Sequence, residues 1–152
     1  MDHTEVIKKL TTELLDQLGF KAEVEIKLEG TMYHIHFRTE EDASLLIGKH
    51  SRMLASLQRV LSAMLFQKIG EKVDVLLDVN DYREAQKERL IGIANNVAQR
   101  VLEEKRDSKL SSFSAYERRI IHEHIAENYQ SLESFSEGEG EDRYLVIAQK
   151  KS

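Results

Sequence analysis

The chain has 152 residues, 41% of them apolar and 32% charged, which is the composition of a globular protein with room for one ordinary domain or two small ones. It contains no cysteine, which excludes a disulfide framework and Cys-ligated zinc and suits a cytoplasmic protein. Its formal charge of −5 excludes a uniformly basic nucleic-acid binder but leaves room for a local basic patch.

The opening segment, MDHTEVIKKLTTELL, starts acidic and mixes charge with apolar residues, so it does not read as a secretory signal. No apolar run approaches the ~18 residues that span a bilayer, and no membrane insertion is expected. Val6, Ile7, Leu10, Leu14, Leu15 and Leu18 recur at helical spacing over residues 3–18, and Gly19 supplies a stop. The period then changes. In AEVEIKLEG, Val24, Ile26 and Leu28 alternate with charged residues as in a half-buried strand, and Glu29-Gly30 supplies a hairpin turn. The return strand TMYHIHFR points Tyr33, Ile35 and Phe37 one way and His34, His36 and Arg38 the other. Thr39 and Asp42 resemble a capping box for a short helix ending at Ile47.

A longer helix is expected from about Ser51 to Ile69, with Leu54, Leu57, Leu61, Met64 and Leu65 inward and Gly70 at its end. KVDVLLDV reads as a strand burying Val73, Val75, Leu77 and Val79. The first half is therefore α-β-β-α-α-β. Asp81 and Glu84 are expected to cap a long helix over about 81–105, and Ser114 with Glu117 to cap another. Two alternating segments, SLESFSE and RYLVIAQK, joined by GEGED, form a closing hairpin, with a short edge strand near 109–111. The halves meet near Asn80, and no proline-stiffened linker separates them.

The break between the two middle helices, Ile47-Gly48-Lys49-His50-Ser51-Arg52, carries the first functional signal. It is not a nucleotide P-loop: position 43 is alanine where that motif needs glycine, and His50 follows the lysine where it needs Ser or Thr. As a plain corner, Gly48 would be a left-handed C-cap and Ser51 the next N-cap, which leaves Lys49 and His50 unexplained. From Ala43 to Gly70 there is no acid, where about five would be expected at the chain's average, while Lys49, Arg52, Arg59 and Lys68 are present. A helix N-terminus adds partial positive charge and N–H groups, so the stretch suits an anionic partner.

The element order with LIGKHSRMLASLQRVLS between the middle helices resembles a type II KH domain, whose I-G-x-x-G loop clamps about four nucleotides of single-stranded nucleic acid. The resemblance assigns Ile47, Gly48, Lys49, His50, Ser51 and Arg52 to that contact. Ser51 stands where the loop's final glycine is expected, and a positive φ there would cost a non-glycine residue about 1 kcal/mol.

In SAYERRIIHEHIAE, Arg118 and His122 lie four residues apart on one helix face, with Arg119 beside them. Two arginines this close to the Ser114 cap sit against the helix dipole unless an anion completes the site. This segment, with the following SFSEGEGEDRYLVI, resembles the R3H domain, named for its Arg-x-x-x-His pattern. In the domain's terms Arg118 and His122 bind single-stranded nucleic acid, Arg119 assists, and Arg143 is structural.

Together these features resemble the KH–R3H proteins of the Jag (SpoIIIJ-associated, KhpB-type) family. The implied fold is α+β, with a type II KH domain over 1–80 followed by an R3H domain over 81–152, and without the family's separate N-terminal Jag domain and basic linker. The resemblance implies a non-catalytic post-transcriptional regulator in the bacterial cytoplasm that binds single-stranded RNA, with single-stranded DNA not distinguished, beside a small KH-domain protein partner. A protein–protein adaptor with a degenerate KH loop is the competing reading. No cofactor or metal is expected. His34 and His36 form an H-x-H pair to which the sequence adds no third ligand, and His122 and His124 point to nearly opposite sides of a helix. Aromatic residues read as sparse and mostly inward-facing, without a base-stacking platform.

Overall fold

The computed structural model describes residues 1–151. The chain divides into two compact units, residues 1–83 and 84–152. Among the described residues no helix is long and apolar enough to cross a membrane.

The first unit opens with helix α1 (Thr4–Leu18), which buries Ile7, Thr11 and Leu15. The buried Thr11 hydroxyl donates to the Ile7 carbonyl at 2.6 Å, so burial leaves it satisfied. Gly19 ends the helix in the left-handed conformation. Strands β1 (Glu23–Glu29) and β2 (Met32–Arg38) form an antiparallel hairpin in register from Glu23–Arg38 to Glu29–Met32. Strand β3 (Asp74–Val79) lies parallel to β2, from Met32–Asp74 to Phe37–Val79. A parallel pair needs a crossover. Helices α2 (Ala43–Ile47) and α3 (Arg52–Ile69) supply it, separated by one 3₁₀ turn at Lys49–Ser51.

The alternation of β2 buries Tyr33, Ile35 and Phe37 against Val75, Leu77 and Val79, and the α3 stripe Leu54, Leu57, Leu61 and Leu65 closes over them. Each such side chain, fully removed from water, contributes roughly 1.5–3 kcal/mol. Met64 and Val73, expected in this core, are only half-buried. The element order is α-β-β-α-α-β, as the KH-type topology requires.

The second unit is built on helix α4 (Tyr82–Glu104) and helix α5 (Ala115–Asn128), with a sheet of β4 (Ser108–Leu110), β5 (Leu132–Glu137) and β6 (Tyr144–Gln149). The strand order is β4-β6-β5, antiparallel throughout, so β4 and β5 are edges. Leu90, Ala94, Val97, Ala98 and Val101 of α4 share a core with Ile121, Ile125, Leu132, Leu145 and Ile147.

Two caps differ from expectation, and one is complete. At Ser114 the hydroxyl accepts the Glu117 N–H at 3.2 Å while the Glu117 carboxylate accepts the Ser114 N–H at 2.8 Å, a full capping box. Asp81 does not cap α4. Its φ is 58° and its carboxylate is bonded to Arg38 at 2.9 Å; Asp78 instead accepts the N–H groups of Val79 and Arg83, at 2.8 and 3.2 Å. Of the Thr39–Asp42 box only half forms: the Thr39 hydroxyl accepts the Asp42 N–H at 3.1 Å, but the Asp42 carboxylate accepts the Lys21 N–H at 2.8 Å.

Candidate nucleic-acid interface

The corner between α2 and α3 holds three residues at positive φ: Gly48, His50 and Ser51. Gly48 is not the left-handed cap expected of it. With φ 73° and ψ 176° it occupies a region essentially closed to other residues, and its N–H returns to the Ser44 carbonyl. A Cβ at Gly48 would lie 2.7 Å from the Met53 Cβ. Ser51, at φ 61° and ψ 20°, is left-handed and does not cap α3; no side chain does. Its hydroxyl donates to the Tyr82 hydroxyl at 2.8 Å instead. A left-handed residue turns its side chain away from the following amides, which is why the N-cap expectation fails here. Lys49 is exposed, His50, Ile47 and Ser51 are half-buried, and Arg52 opens α3 on the exposed side.

A groove of about 470 Å³ runs along α3, lined by Ala55, Gln58, Arg59, Ser62, Leu76 and Arg83. Its far wall is the outer edge of β3. Edge strands present unpaired backbone groups. Here the Gln58 amide oxygen accepts the Leu77 N–H at 3.1 Å, and the Arg83 guanidinium donates to the Leu77 carbonyl at 2.8 Å. Two side chains thus blunt the edge and add a cation to the rim. The acid-free helix is legible in the sequence, whereas the roles of Gln58 and Arg83 are not, because side-chain bonds to the backbone of an edge strand follow from the tertiary fold and leave no mark on residue spacing.

In the second unit, Ala115, Arg118, Arg119, His122, Phe135, Ser136 and Arg143 line a cavity of about 300 Å³. The three residues singled out from the sequence are therefore brought together. The Ser114 box starts α5 and fixes the helix phase that sets Arg118 and His122 on one face. Arg118 donates to the Phe113 carbonyl at 2.7 Å, anchoring the guanidinium across the helix entry. Arg119 pairs with Glu123 at 3.2 Å. The His122 ring nitrogen Nδ1 lies 2.6 Å from the Ser134 hydroxyl on β5. Arg143 donates to the Gly138 carbonyl at 2.7 Å, closing the 138–143 loop while lining the cavity. Ser134 and Arg143 complete a site whose other half lies on α5. Three guanidinium groups and an imidazole thus line one open depression, donors of the kind that pair with anions.

Residues 88–149 match the R3H domain family. A Bacillus subtilis protein named RNA-binding protein KhpB is 37% identical over 121 residues, covering 78% of this chain and 56% of its own length. Its namesake from Clostridium symbiosum is 30% identical over 140 residues, 91% of this chain and 63% of that protein. The Streptococcus pneumoniae D39 protein of the same name is 32% identical over 144 residues, covering 95% and 43%.

The chain carries an R3H domain and is similar over most of its length to proteins named KhpB.

It spans between 43% and 63% of the length of these KhpB relatives. The R3H match contains Arg118, Arg119, His122 and Arg143, whereas the KhpB similarity extends into the first unit, where the KH-type element order is seen.

The histidines sort differently from one another. His122 and His124 face apart as expected: His124 contacts Asn95 at 2.7 Å on α4, while His122 faces β5. On β2, however, the fold brings two carboxylates to His36, those of Asp78 at 3.5 Å and Asp81 at 3.4 Å. Asp81 is also bonded to Arg38, so His36 sits in a polar network with two carboxylates and a guanidinium on the sheet face. The Arg38 hydrogen bond, with added coulombic help from His36, holds the Asp81 carboxyl below the ordinary carboxylate value. Most aromatic residues lie inward as expected; Phe66, Tyr116 and Phe135 are the exceptions among the described residues, at 52%, 54% and 39% exposed.

Proposed function

We propose that this protein binds single-stranded RNA without catalysis, using the Ile47–Arg52 corner and α3 groove in one domain and the Arg118/His122 surface in the other. The observation that carries the reading is the placement of Arg118, Arg119, His122 and Arg143 around one cavity within an R3H domain. The relatives named RNA-binding protein KhpB support it.

The physical division of labour follows from the side chains. At the corner, Lys49, His50 and Arg52 grip phosphates and the glycine at 48 lets backbone approach backbone. Bases lie over Ile47 and along the groove. The R3H surface takes an adjoining stretch of the strand. Each module is weak alone, and a shared chain raises the effective concentration of the second contact, which offsets the Cβ that Ser51 places in the loop. The working boundary between the modules falls near residue 80. By family resemblance the cellular role is post-transcriptional regulation in the cytoplasm, beside a small KH-domain protein partner.

Ultraviolet crosslinking of the full chain to a mixed single-stranded RNA pool, followed by peptide mapping, tests this. Crosslinks within 47–62 and in α5 or β5 are expected. Crosslinks confined to the acidic face around Glu40 and Glu41, or none above a denatured control, would overturn it in favour of an adaptor.

A further inference from the structure

Helix α3 carries an exposed aromatic that neither the loop nor the R3H surface uses. Phe66 is 52% exposed near the end of the helix. A single exposed apolar side chain is ordinary. Its position is not. Ala55, Arg59, Ser62 and Phe66 follow one another at intervals of four, three and four residues, which is a single stripe on a helix. The first three line the α3 groove. Phe66 therefore continues the groove's own face one turn further, roughly 16 Å from Ala55 at the helical rise per residue. A long side chain on a helix leans back toward the preceding turn, so the ring inclines over Ser62 and toward Arg59 rather than away from them.

The surroundings select the occupant. Residues 43–70 contain no acid, and Arg52 and Arg59 lie along the same helix face as Phe66, whereas Lys68 points to nearly the opposite side. An aromatic with two arginines further along its own helix face and no acid on that helix suits a nucleobase whose phosphates are neutralised nearby. An acid-free cationic stripe would disfavour a second copy of itself by like-charge repulsion.

We propose that Phe66 is a nucleobase-stacking residue at the far end of the α3 groove, taking an unstacked base of the strand whose phosphates are held at Lys49–Arg52. The inference rests on the single-stranded nucleic-acid reading above and adds a specific contact to it. Stacking uses the π-face that every base has, so the contact discriminates single from double strands more than one base from another.

The chain has no tryptophan, so Phe66→Trp creates a single fluorescent reporter at the site. With a short mixed-sequence single-stranded RNA, Phe66→Ala is expected to weaken binding by about 5- to 150-fold, the equivalent of one stacked base. The salt dependence should not change, because no phosphate contact is lost. Phe66→Trp should bind as wild type, with fluorescence quenched by RNA but not by inorganic polyphosphate. If wild type binds RNA, Phe66→Ala binds equally well and the tryptophan is unquenched, the stacking assignment is wrong and the RNA-binding reading stands. If wild type binds no RNA, both fall. Tryptophan emission that follows protein concentration instead of RNA overturns the assignment in favour of contact between copies.

Discussion

The Ser51 hydroxyl donates a hydrogen bond to the Tyr82 hydroxyl at 2.8 Å, tying the α2–α3 corner to the residue that begins α4. Ser51 holds a left-handed conformation suited to glycine, at a cost of about 1 kcal/mol. A hydrogen bond of this kind contributes about 0.5–1.5 kcal/mol net. The two nearly cancel. Ser51→Gly should therefore change unfolding free energy by less than about 1 kcal/mol in urea denaturation. It should also raise RNA affinity severalfold by clearing the Cβ and hydroxyl from the loop. Unchanged affinity would make the corner purely structural.

Gly48 has no such latitude. A methyl group there meets the Met53 Cβ at 2.7 Å in a backbone region closed to L-residues. Gly48→Ala should destabilise the first unit by about 2–4 kcal/mol, combining backbone strain with overpacking. Chemical denaturation followed by far-UV circular dichroism measures it.

The Ser114 capping box sets the phase of α5 and hence the R3H surface. Ser114→Ala should cost about 1 kcal/mol. Ser114→Thr or Ser114→Asp should recover most of it. Loss of RNA affinity in proportion to the loss of α5 protection, read by amide hydrogen exchange, would connect the cap to the site.

Asp81 has a lowered carboxyl pKa in the folded protein because Arg38 bonds its charged form. Its contribution to stability is thus present above the unfolded value of about 4 and lost as pH falls through the lower folded value. Asp81→Asn should narrow the fall in urea midpoint below about pH 5 only slightly, because the pair is solvent-exposed and the contribution it loses on acidification is the same small one it makes at neutral pH. A variant with the same acid limb as wild type would remove this pair from the account.

The elements themselves were legible because apolar spacing marks them directly: Tyr33, Ile35 and Phe37 alternate, and Leu54, Leu57, Leu61 and Leu65 form a helical stripe. The Ser114–Glu117 box was legible too, since both partners lie within one turn. What failed were inferences about polar side chains with several possible partners. Asp81 matches a capping pattern in sequence, yet Arg38, more than forty residues away, takes its carboxylate and leaves the cap to Asp78. Ser51 matches an N-cap, yet its left-handed backbone turns it to Tyr82. Gln58 and Arg83 meet at the edge of β3, and Ser134 meets His122, through tertiary contacts that local spacing does not encode.

The central claim is that two cationic surfaces on one chain hold a single RNA strand. Its most direct measurement is the affinity for mixed single-stranded RNA across a salt series, for wild type, Lys49→Asp with His50→Asp, and Arg118→Ala. Each phosphate contact on a single strand contributes about 0.7 to the negative slope of log affinity against log salt. The account predicts a steep slope for wild type, with a shallower slope and weaker binding for each variant. Measurable low-salt binding in none of the three, or slopes and affinities identical in all, would contradict it.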